Sequence, residues 1–175
     1  FEALVQHGYA DLTIQTIADE FEKSKSLLYY HYDTKDHLLT DFLQYVTDGF
    51  ATQVEPLPDS PPRQQMDAVL DLLVPQSPDD AALAIRTALC ELRLQSPYDE
   101  TYAKRFAALD EELEETFTSI LASGVETGVF DIEPAAGAHA LTGMINGEML
   151  RIVTDGTDPA NTRTAIDAVV DKFTT

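Results

Sequence analysis

The stretch from Thr13 to Leu39, TIQTIADEFEKSKSLLYYHYDTKDHLL, predicts two short helices and the start of a third. Thr13 can cap the first helix, because a threonine side chain accepts a hydrogen bond from a backbone N–H of the first turn. Apolar side chains then recur three and four residues apart, which predicts one buried face: Ile14, Ile17, Ala18 and Phe21. After a break at Glu22 and Lys23, Ser24 can cap a second helix from Lys25 to Tyr32.

The second helix is predicted to carry polar and aromatic side chains on its outer face. If Leu28 marks the inner face, a rotation of about 100° per residue places Ser26, Tyr29 and Tyr30 on the far side. Two short helices with a tight turn and such an outer face indicate a helix-turn-helix, whose second helix enters the DNA major groove. As an alternative, one of the two tyrosines packs against a neighbouring helix.

This stretch resembles the N-terminal domain of the TetR family of ligand-responsive transcriptional repressors. The matching positions lie between Ala3 and Leu39: Gly8-Tyr9, Thr13, Ile17-Ala18, Ser24, Leu28-Tyr29, His31-Tyr32, Thr34-Lys35 and Leu38-Leu39. Two residues depart from the family pattern. Glu22 stands where the family usually has a turn glycine, and a left-handed backbone there would cost about 1 kcal/mol. Leu27 stands where a smaller or hydroxylated residue is usual.

The resemblance implies a partner, a double-stranded DNA operator, and a set of contacts to it. It implies base-edge contacts by Gln15 and Lys25, and phosphate contacts by hydroxyls such as those of Tyr29 and Tyr30. It further implies supporting contacts to the DNA backbone by four side chains: Thr13, Ser26, His31 and Lys35.

The net charge of −20 argues at first against a nucleic-acid partner. Residues 1–47 hold three lysines against eight acidic residues, yet all three lysines lie in the predicted DNA-binding segment: Lys23, Lys25 and Lys35. Asp outnumbers Glu and lysine is rare, a composition typical of proteins that work in concentrated salt. At molar ionic strength the Debye length is about 3 Å, so diffuse repulsion from DNA nearly vanishes. We therefore expect a halophilic host; the alternative is that DNA binding has been lost.

The remaining composition is that of a globular protein, with 44% apolar residues. No run of 18 apolar residues occurs, so we expect no membrane span. The single cysteine, Cys90, excludes an internal disulfide and suits a reducing cytoplasm, where we expect the protein to be. The sequence starts at Phe1 inside a predicted helix, so we expect further residues before it.

We predict an all-α fold, because no strand-like alternation of useful length occurs. A three-helix DNA-binding domain is expected over residues 1–47, and a helical ligand-binding and dimerisation domain over residues 48–175. The first helix should end at Gly8 with Leu4 and Val5 inward. Thr34 should cap the fourth helix, whose inner positions are Leu38, Phe42, Tyr45, Val46 and Phe50.

Three Ser-Pro pairs predict the next helix starts, each with serine as cap and proline at the first helical position: Ser60-Pro61, Ser77-Pro78 and Ser96-Pro97. The three helices should cover about 63–74, 78–95 and 97–124. Their predicted buried residues are Met66, Val69, Leu70 and Leu73, then Ile85, Ala88, Leu89 and Leu92, then Phe106, Leu109, Leu113, Phe117 and Ile120. Pro134 and Asp158-Pro159 should open the last two helices.

Small residues recur along one face of the helix that Pro134 opens: Ala136, Ala140, Gly143 and Gly147. Glycine inside a helix costs about 1 kcal/mol, so two on one face indicate the close approach of another helix. The last helix has its own apolar stripe: Ile166, Val169, Val170 and Phe173. In the TetR family the last two helices pair with those of a second subunit. The resemblance therefore implies a homodimer whose interface contains both the small residues and the apolar stripe of the last helix. As an alternative, the small ridge packs within one subunit.

The resemblance also implies a cavity for a small hydrophobic effector in the helical body. Candidate lining residues are Met66, Cys90, Phe106, Phe117 and Met144, which could equally be plain core. His37 and Asp41 have helical metal-ligand spacing, but no third ligand is near in sequence and a solvated face is the simpler interpretation.

We find no phosphate loop, nucleophile elbow or Cys–His pairing, and expect neither an enzyme nor a cofactor. Two functions therefore stand. The first is a repressor released from a palindromic operator by its ligand. The second is a helical dimer that acts through a ligand or protein partners without binding DNA.

Overall fold

The computed structural model describes residues 2–20, 25–54 and 60–174, and within them the side chains of all but Glu2 and Lys25. The predicted all-α fold is confirmed. The helices are α1 (Glu2–Asp11), α2 (Ile14–Glu20), α3 (Lys25–His31), α4 (Lys35–Val54), α5 (Pro62–Leu73), α6 (Asp80–Arg93), α7 (Glu100–Glu126), α8 (Pro134–Asp155) and α9 (Pro159–Val170), followed by a 3-10 turn at Asp171–Phe173. None of the described helices combines the length and apolar character needed to cross a membrane.

The chain groups into two compact units, and both are discontinuous in sequence. The first unit contains Phe1–Gly49 and Asp80–Phe106, and the second contains Phe50–Asp79 and Ala107–Thr175. Helix α6 and the first part of α7 therefore belong with the N-terminal helices. A domain boundary at residues 47 and 48 stays a prediction, because a compact unit need not coincide with a functional domain.

In the first unit, α1 packs against α6 and is broken at Gly8, whose φ of 69° and ψ of 163° lie outside the helical region. The predicted helix end at Gly8 is thus confirmed, although residues 9–11 form a further helical turn after the break. The prediction that Val5 points inward is wrong, because Ala3 and Leu4 fill the buried face and Val5 is exposed.

The buried face of α4 is rotated from the predicted one. Leu39, Leu43 and Phe50 are buried, whereas Tyr45 is 75% exposed, so its predicted inner position is wrong. The physical reason is that apolar residues occur on more than half of the circumference of α4. Periodicity alone then cannot choose which stripe meets the core.

The predicted Ser-Pro caps are wrong. Helix α5 starts at Pro62 with Pro61 as an N-cap that makes no side-chain hydrogen bond, and α6 and α7 start at Asp80 and Glu100. At α7 the residues after α6 form hydrogen-bonded turns, and the carboxylate of Asp99 accepts the N–H of Thr101 at 2.7 Å. An aspartate therefore caps this helix in place of the serine. Ile85, predicted to be buried in α6, is exposed.

The second unit has one core cluster to which α4, α5, α7, α8 and α9 contribute. The predicted starts of α8 and α9 are confirmed, and both have acidic N-caps: Glu133 accepts the N–H groups of Ala135 and Ala136, and Asp158 accepts that of Ala160. Near the end of α7, a Cβ built on Gly124 would lie 2.0 Å from Cδ2 of Phe130. Gly124 is therefore needed for the buried Phe130 ring to cross this helix.

Candidate nucleic-acid interface

Thr13 and Thr16 cap α2 reciprocally. The N–H of Thr16 donates to Thr13 Oγ1 at 3.1 Å, and the N–H of Thr13 donates to Thr16 Oγ1 at 2.9 Å. Two backbone donors that the helix leaves unpaired are thereby satisfied, which confirms the predicted N-cap. The same two bonds hold the Thr13 side chain in place at the start of the motif.

Helices α2 and α3 pack against each other, as a helix-turn-helix requires. Residues 21–24 lie outside the described part of the chain, and with them the predicted burial of Phe21, the turn at Glu22, Lys23 and the Ser24 cap. Helix α3 starts at Lys25, as predicted, and ends at His31, one residue earlier than expected.

The outer face of α3 is exposed as the helical rotation predicts. Leu28 is buried, while Tyr29 is 48% and Tyr30 is 82% exposed. Ser26, Leu27 and His31 are exposed as well, and the rings of Tyr30 and His31 meet edge to face with centroids 5.2 Å apart. We call this face of α3, together with the side chain of Gln15 on α2, the reading face.

Two predicted DNA contacts, Tyr29 and Gln15, are joined in the structure. The hydroxyl of Tyr29 donates to Gln15 Oε1 at 2.8 Å, and Gln15 Nε2 donates to Asp19 Oδ1 at 2.8 Å. This chain fixes which way the Gln15 amide points. A phenol has a single O–H donor, so Tyr29 cannot donate to a phosphate while it holds Gln15. Sequence reasoning missed Asp19, although its spacing of four residues from Gln15 on one helix was a signal.

Lys35 contacts the protein itself. Its Nζ donates to the backbone carbonyl of Tyr9 at 2.7 Å and lies 4.1 Å from the centre of the Tyr9 ring. An ammonium has three N–H donors, so a phosphate contact by Lys35 would use one of the other two. That contact stays a prediction.

Exposed acidic side chains are frequent in the first four helices. On and between the described parts of the first four helices, exposed carboxylates belong to Asp11, Asp19, Glu20, Asp33, Asp41 and Asp48. At low ionic strength these charges repel a DNA backbone, and concentrated salt screens that repulsion.

Comparison with protein families identifies the fold at both ends of the chain. Residues 1–41 match the model described as bacterial regulatory proteins, tetR family, and residues 62–175 match the one described as BetI-type transcriptional repressor, C-terminal. The second match alone covers more than half of the chain. The chain belongs to the TetR family. It is therefore a transcription regulator with a DNA-binding helix-turn-helix, in a family that typically represses transcription and responds to ligands.

Solved structures of other transcriptional regulators are similar over nearly the whole chain. A TetR transcription regulator from Haloarcula marismortui is 33% identical with a TM-score of 0.88, covering 99% of this chain and 93% of that one. A TetR-family structure from Rhodococcus sp. is 20% identical with a TM-score of 0.81, covering 99% and 93%. A regulator from Saccharomonospora viridis in complex with choline is 16% identical with a TM-score of 0.81, covering 96% and 89%. The last two show the fold alone. No curated protein matches the chain.

The predicted effector-binding residues of this TetR chain divide between the two units. Met66 and Phe117 are fully buried in the core of the second unit, and Met144 packs against that core. Cys90 and Phe106 belong to the first unit, where the Arg93 guanidinium lies 4.5 Å from the Phe106 ring centre. Burial raises the pKa of the Cys90 thiol, so it stays protonated and apolar in character.

The small-residue ridge on α8 is exposed. Ala136, Ala140, Gly143 and Gly147 face solvent, and a Cβ built on either glycine meets nothing within 4 Å. The alternative that this ridge packs within one subunit is therefore wrong for the described part of the chain.

The apolar stripe on α9 requires a correction as an interface. Ile166, Val170 and Phe173 are buried in the core of the second unit, and Val169 packs against it. Ile166, Val170 and Phe173 therefore have almost no surface left for a second subunit, whereas Val169 is only partly buried. The exposed small residues of α9 are Ala165 and Ala168, which sequence reasoning missed because larger apolar residues at neighbouring positions gave a stronger pattern.

Proposed function

We propose that this TetR-family chain binds a palindromic operator as a homodimer, represses transcription there, and is released by a small hydrophobic or amphiphilic effector. The observation that carries the DNA-binding part is the exposed reading face, on which Gln15 is oriented by Tyr29. Packing of a hydrophobic core requires neither exposed side chains on α3 nor a fixed orientation of the Gln15 amide. A protein that reads base edges benefits from both, because less side-chain freedom is lost on binding.

On this proposal Gln15 and Lys25 contact base edges, and Tyr30 contacts a phosphate through its hydroxyl. Thr13, Ser26, His31 and Lys35 contact the DNA backbone. Tyr29 acts mainly by orienting Gln15, since its single donor is already used. The two-fold symmetry of a dimer places two α3 helices on the duplex, so the operator is an inverted repeat with half-sites a multiple of about 10 bp apart.

The proposed dimer interface is the α8 ridge together with Ala165 and Ala168 of α9. Small side chains allow two helices to approach closely, and the ridge has no other partner within its own described chain. Ile166, Val170 and Phe173 support the interface from inside, as the core on which α9 rests.

For the effector we propose an apolar or amphiphilic molecule that contacts some of the five predicted residues, Met66, Cys90, Phe106, Phe117 and Met144. Choline is the first compound to test, because a protein of the same fold was solved in complex with choline. Release requires that the effector prefer the state unable to bind DNA, typically by about 1–3 kcal/mol.

We also propose that the protein works in the cytoplasm of a cell with concentrated internal salt. The net charge of −20 and the 33% identical regulator from Haloarcula marismortui support this proposal. In such a medium the exposed carboxylates hinder DNA binding far less than in dilute buffer.

The test starts with selection of bound duplexes from a random DNA library in molar KCl, followed by footprinting. We expect a two-fold symmetric protected site that choline or a hydrophobic compound releases. Failure to select any duplex at any salt concentration would overturn DNA binding and favour a helical dimer that acts through a ligand or protein partners. Protection without two-fold symmetry would overturn the dimer, and operator affinity unmoved by a compound shown to bind would overturn the release mechanism.

A further inference from the structure

Tyr9, which lies directly after the break in α1, uses all of its polar groups within the protein. Because Gly8 is not helical, the N–H of Tyr9 has left the hydrogen-bond pattern of α1, and it donates instead to Glu91 Oε2 of α6 at 2.7 Å. The carbonyl of Tyr9 accepts Lys35 Nζ of α4, and the same ammonium lies over its ring. Its hydroxyl donates to Asp36 Oδ1 of α4 at 2.9 Å.

Asp36 joins Tyr9 to α7. The same Oδ1 atom that accepts the Tyr9 hydroxyl accepts the hydroxyl of Tyr102 at 3.0 Å, and Tyr102 is fully buried. The two rings meet edge to face with centroids 6.2 Å apart. Burial and the Asp36 carboxylate raise the pKa of Tyr9 to about 12 and also raise that of Tyr102, so both phenols remain donors at any physiological pH.

This network lies within the first unit and connects α1, α4, α6 and α7. Its α4 members, Lys35 and Asp36, are the first residue pair of that helix. The reading helix α3 ends at His31, so only Tyr32, Asp33 and Thr34 separate it from the network. Thr34 is itself fixed, because its Oγ1 accepts the N–H of His37 at 3.1 Å. The start of α4, three residues after the end of α3, is thereby hydrogen-bonded to Tyr9 of α1 and Tyr102 of α7, and Tyr9 is in turn bonded to Glu91 of α6.

We propose that Tyr9, Asp36, Glu91 and Tyr102 are positioning residues for operator recognition, which set the angle of α3 by holding the start of α4 against α6 and α7. This inference rests on the proposed DNA-binding function. Base contacts carry the sequence information and require α3 to sit at one angle in the groove, whereas phosphate contacts carry no sequence information directly. Loosening the network should therefore weaken specific binding while it leaves non-specific binding intact.

The first variant is Tyr102→Phe, which keeps the buried ring and removes only the hydroxyl donated to Asp36. Tyr98→Phe is the matched control, because Tyr98 is four residues away and 87% exposed. Affinities for the selected operator and for a scrambled duplex are measured in molar KCl at a temperature where melting curves show both variants folded. We expect Tyr102→Phe to lower operator affinity about tenfold and scrambled-duplex affinity by less than about twofold, with no change in the control.

A conservative pair tests the acceptor. Asp36→Asn retains an oxygen that can accept both phenols and should keep the ratio of operator to scrambled affinity near that of the unmodified protein. Asp36→Ala removes the acceptor and should lower the ratio of operator to scrambled affinity, as Tyr102→Phe does. If Tyr102→Phe does not fold, Tyr9→Phe removes the other hydroxyl from a less buried ring and replaces it in the comparison.

A purely structural network would give a different result. Variants with lower melting temperatures and an unchanged affinity ratio would overturn the positioning role and leave the DNA-binding function standing. If the unmodified protein selects no duplex at all, the proposed function itself fails and this inference fails with it.

Discussion

Removing the Tyr29 hydroxyl tests how the reading face works. Tyr29→Phe deletes the bond to Gln15 Oε1, which is 2.8 Å long and partly solvent-exposed. A neutral hydrogen bond of this kind contributes about 0.5–1.5 kcal/mol, so operator affinity should fall by a factor of about 2 to 12. Gln15→Ala removes a base contact as well and should cost about 1–3 kcal/mol, or about 5- to 150-fold.

The double variant separates the two possible roles of Tyr29. If Tyr29 acts by orienting Gln15, Tyr29→Phe should change operator affinity by less than about twofold once Gln15 is alanine, because its target is gone. If the hydroxyl instead donates to a phosphate, the two effects add, and affinity for a scrambled duplex falls by the same factor as affinity for the operator.

The assay is fluorescence anisotropy in molar KCl with the selected operator and a scrambled duplex. Tyr45→Phe serves as the control, because Tyr45 is also an exposed tyrosine but lies on α4 outside the reading face. Additive losses in the double variant, or equal losses on both duplexes, would refute the orienting role of Tyr29.

Three further predictions concern salt, assembly and packing. Operator affinity should depend weakly on KCl concentration. The slope of log affinity against log salt is set by the number of phosphates that the protein neutralises, and the described side chains of α2 and α3 offer acids and neutral donors. A titration that gives a slope steeper than about −4 would contradict this reading face. Gly143→Leu or Gly147→Leu should shift the light-scattering mass towards the monomer while Gly49→Leu does not, and a dimer retained in both ridge variants would place the interface elsewhere. Gly124→Ala should lower the free energy of unfolding by about 1–3 kcal/mol, because its Cβ would lie 2.0 Å from Phe130. In Gly49→Ala the new Cβ would meet nothing within 4 Å, so the free energy of unfolding should rise by up to about 1 kcal/mol. Chemical denaturation that ranks the two variants the other way would contradict the packing at the end of α7.

The helix-turn-helix was predictable from the sequence because its determinants are local. Thr13 caps α2 and Thr34 caps α4 through bonds that span three residues, and the outer face of α3 follows from Leu28 and a fixed rotation per residue. The starts of α8 and α9 were predictable for the same reason, since Pro134 and Pro159 each occupy a position where a helix lacks a partner for its N–H.

The predictions of helix caps and apolar stripes were wrong where several local arrangements compete. Ser96 could cap α7 on its own merits, yet continued turning after α6 leaves that place to Asp99, and only the packed chain decides which is used. Tyr45 on α4 and Ile166 on α9 each belong to an apolar stripe, and sequence alone does not say which stripe meets the subunit's own core. Burial there depends on the helices packed against them, from segments far away along the chain.

The sequence by itself therefore determined the all-α class, the DNA-binding motif and the small-residue ridge. Each depends on helical periodicity, on capping or on small residues at helical spacing, and these patterns can be recognised within a short segment of sequence. Only the tertiary structure decided that Tyr29 holds Gln15 and that Lys35 contacts Tyr9. It also decided that Asp36 joins Tyr9 to Tyr102, a bond that spans 66 residues between Asp36 and Tyr102. Hydrogen bonds between distant residues leave no periodic trace in a sequence, since each requires only one donor and one acceptor, and the fold alone brings them within 3 Å.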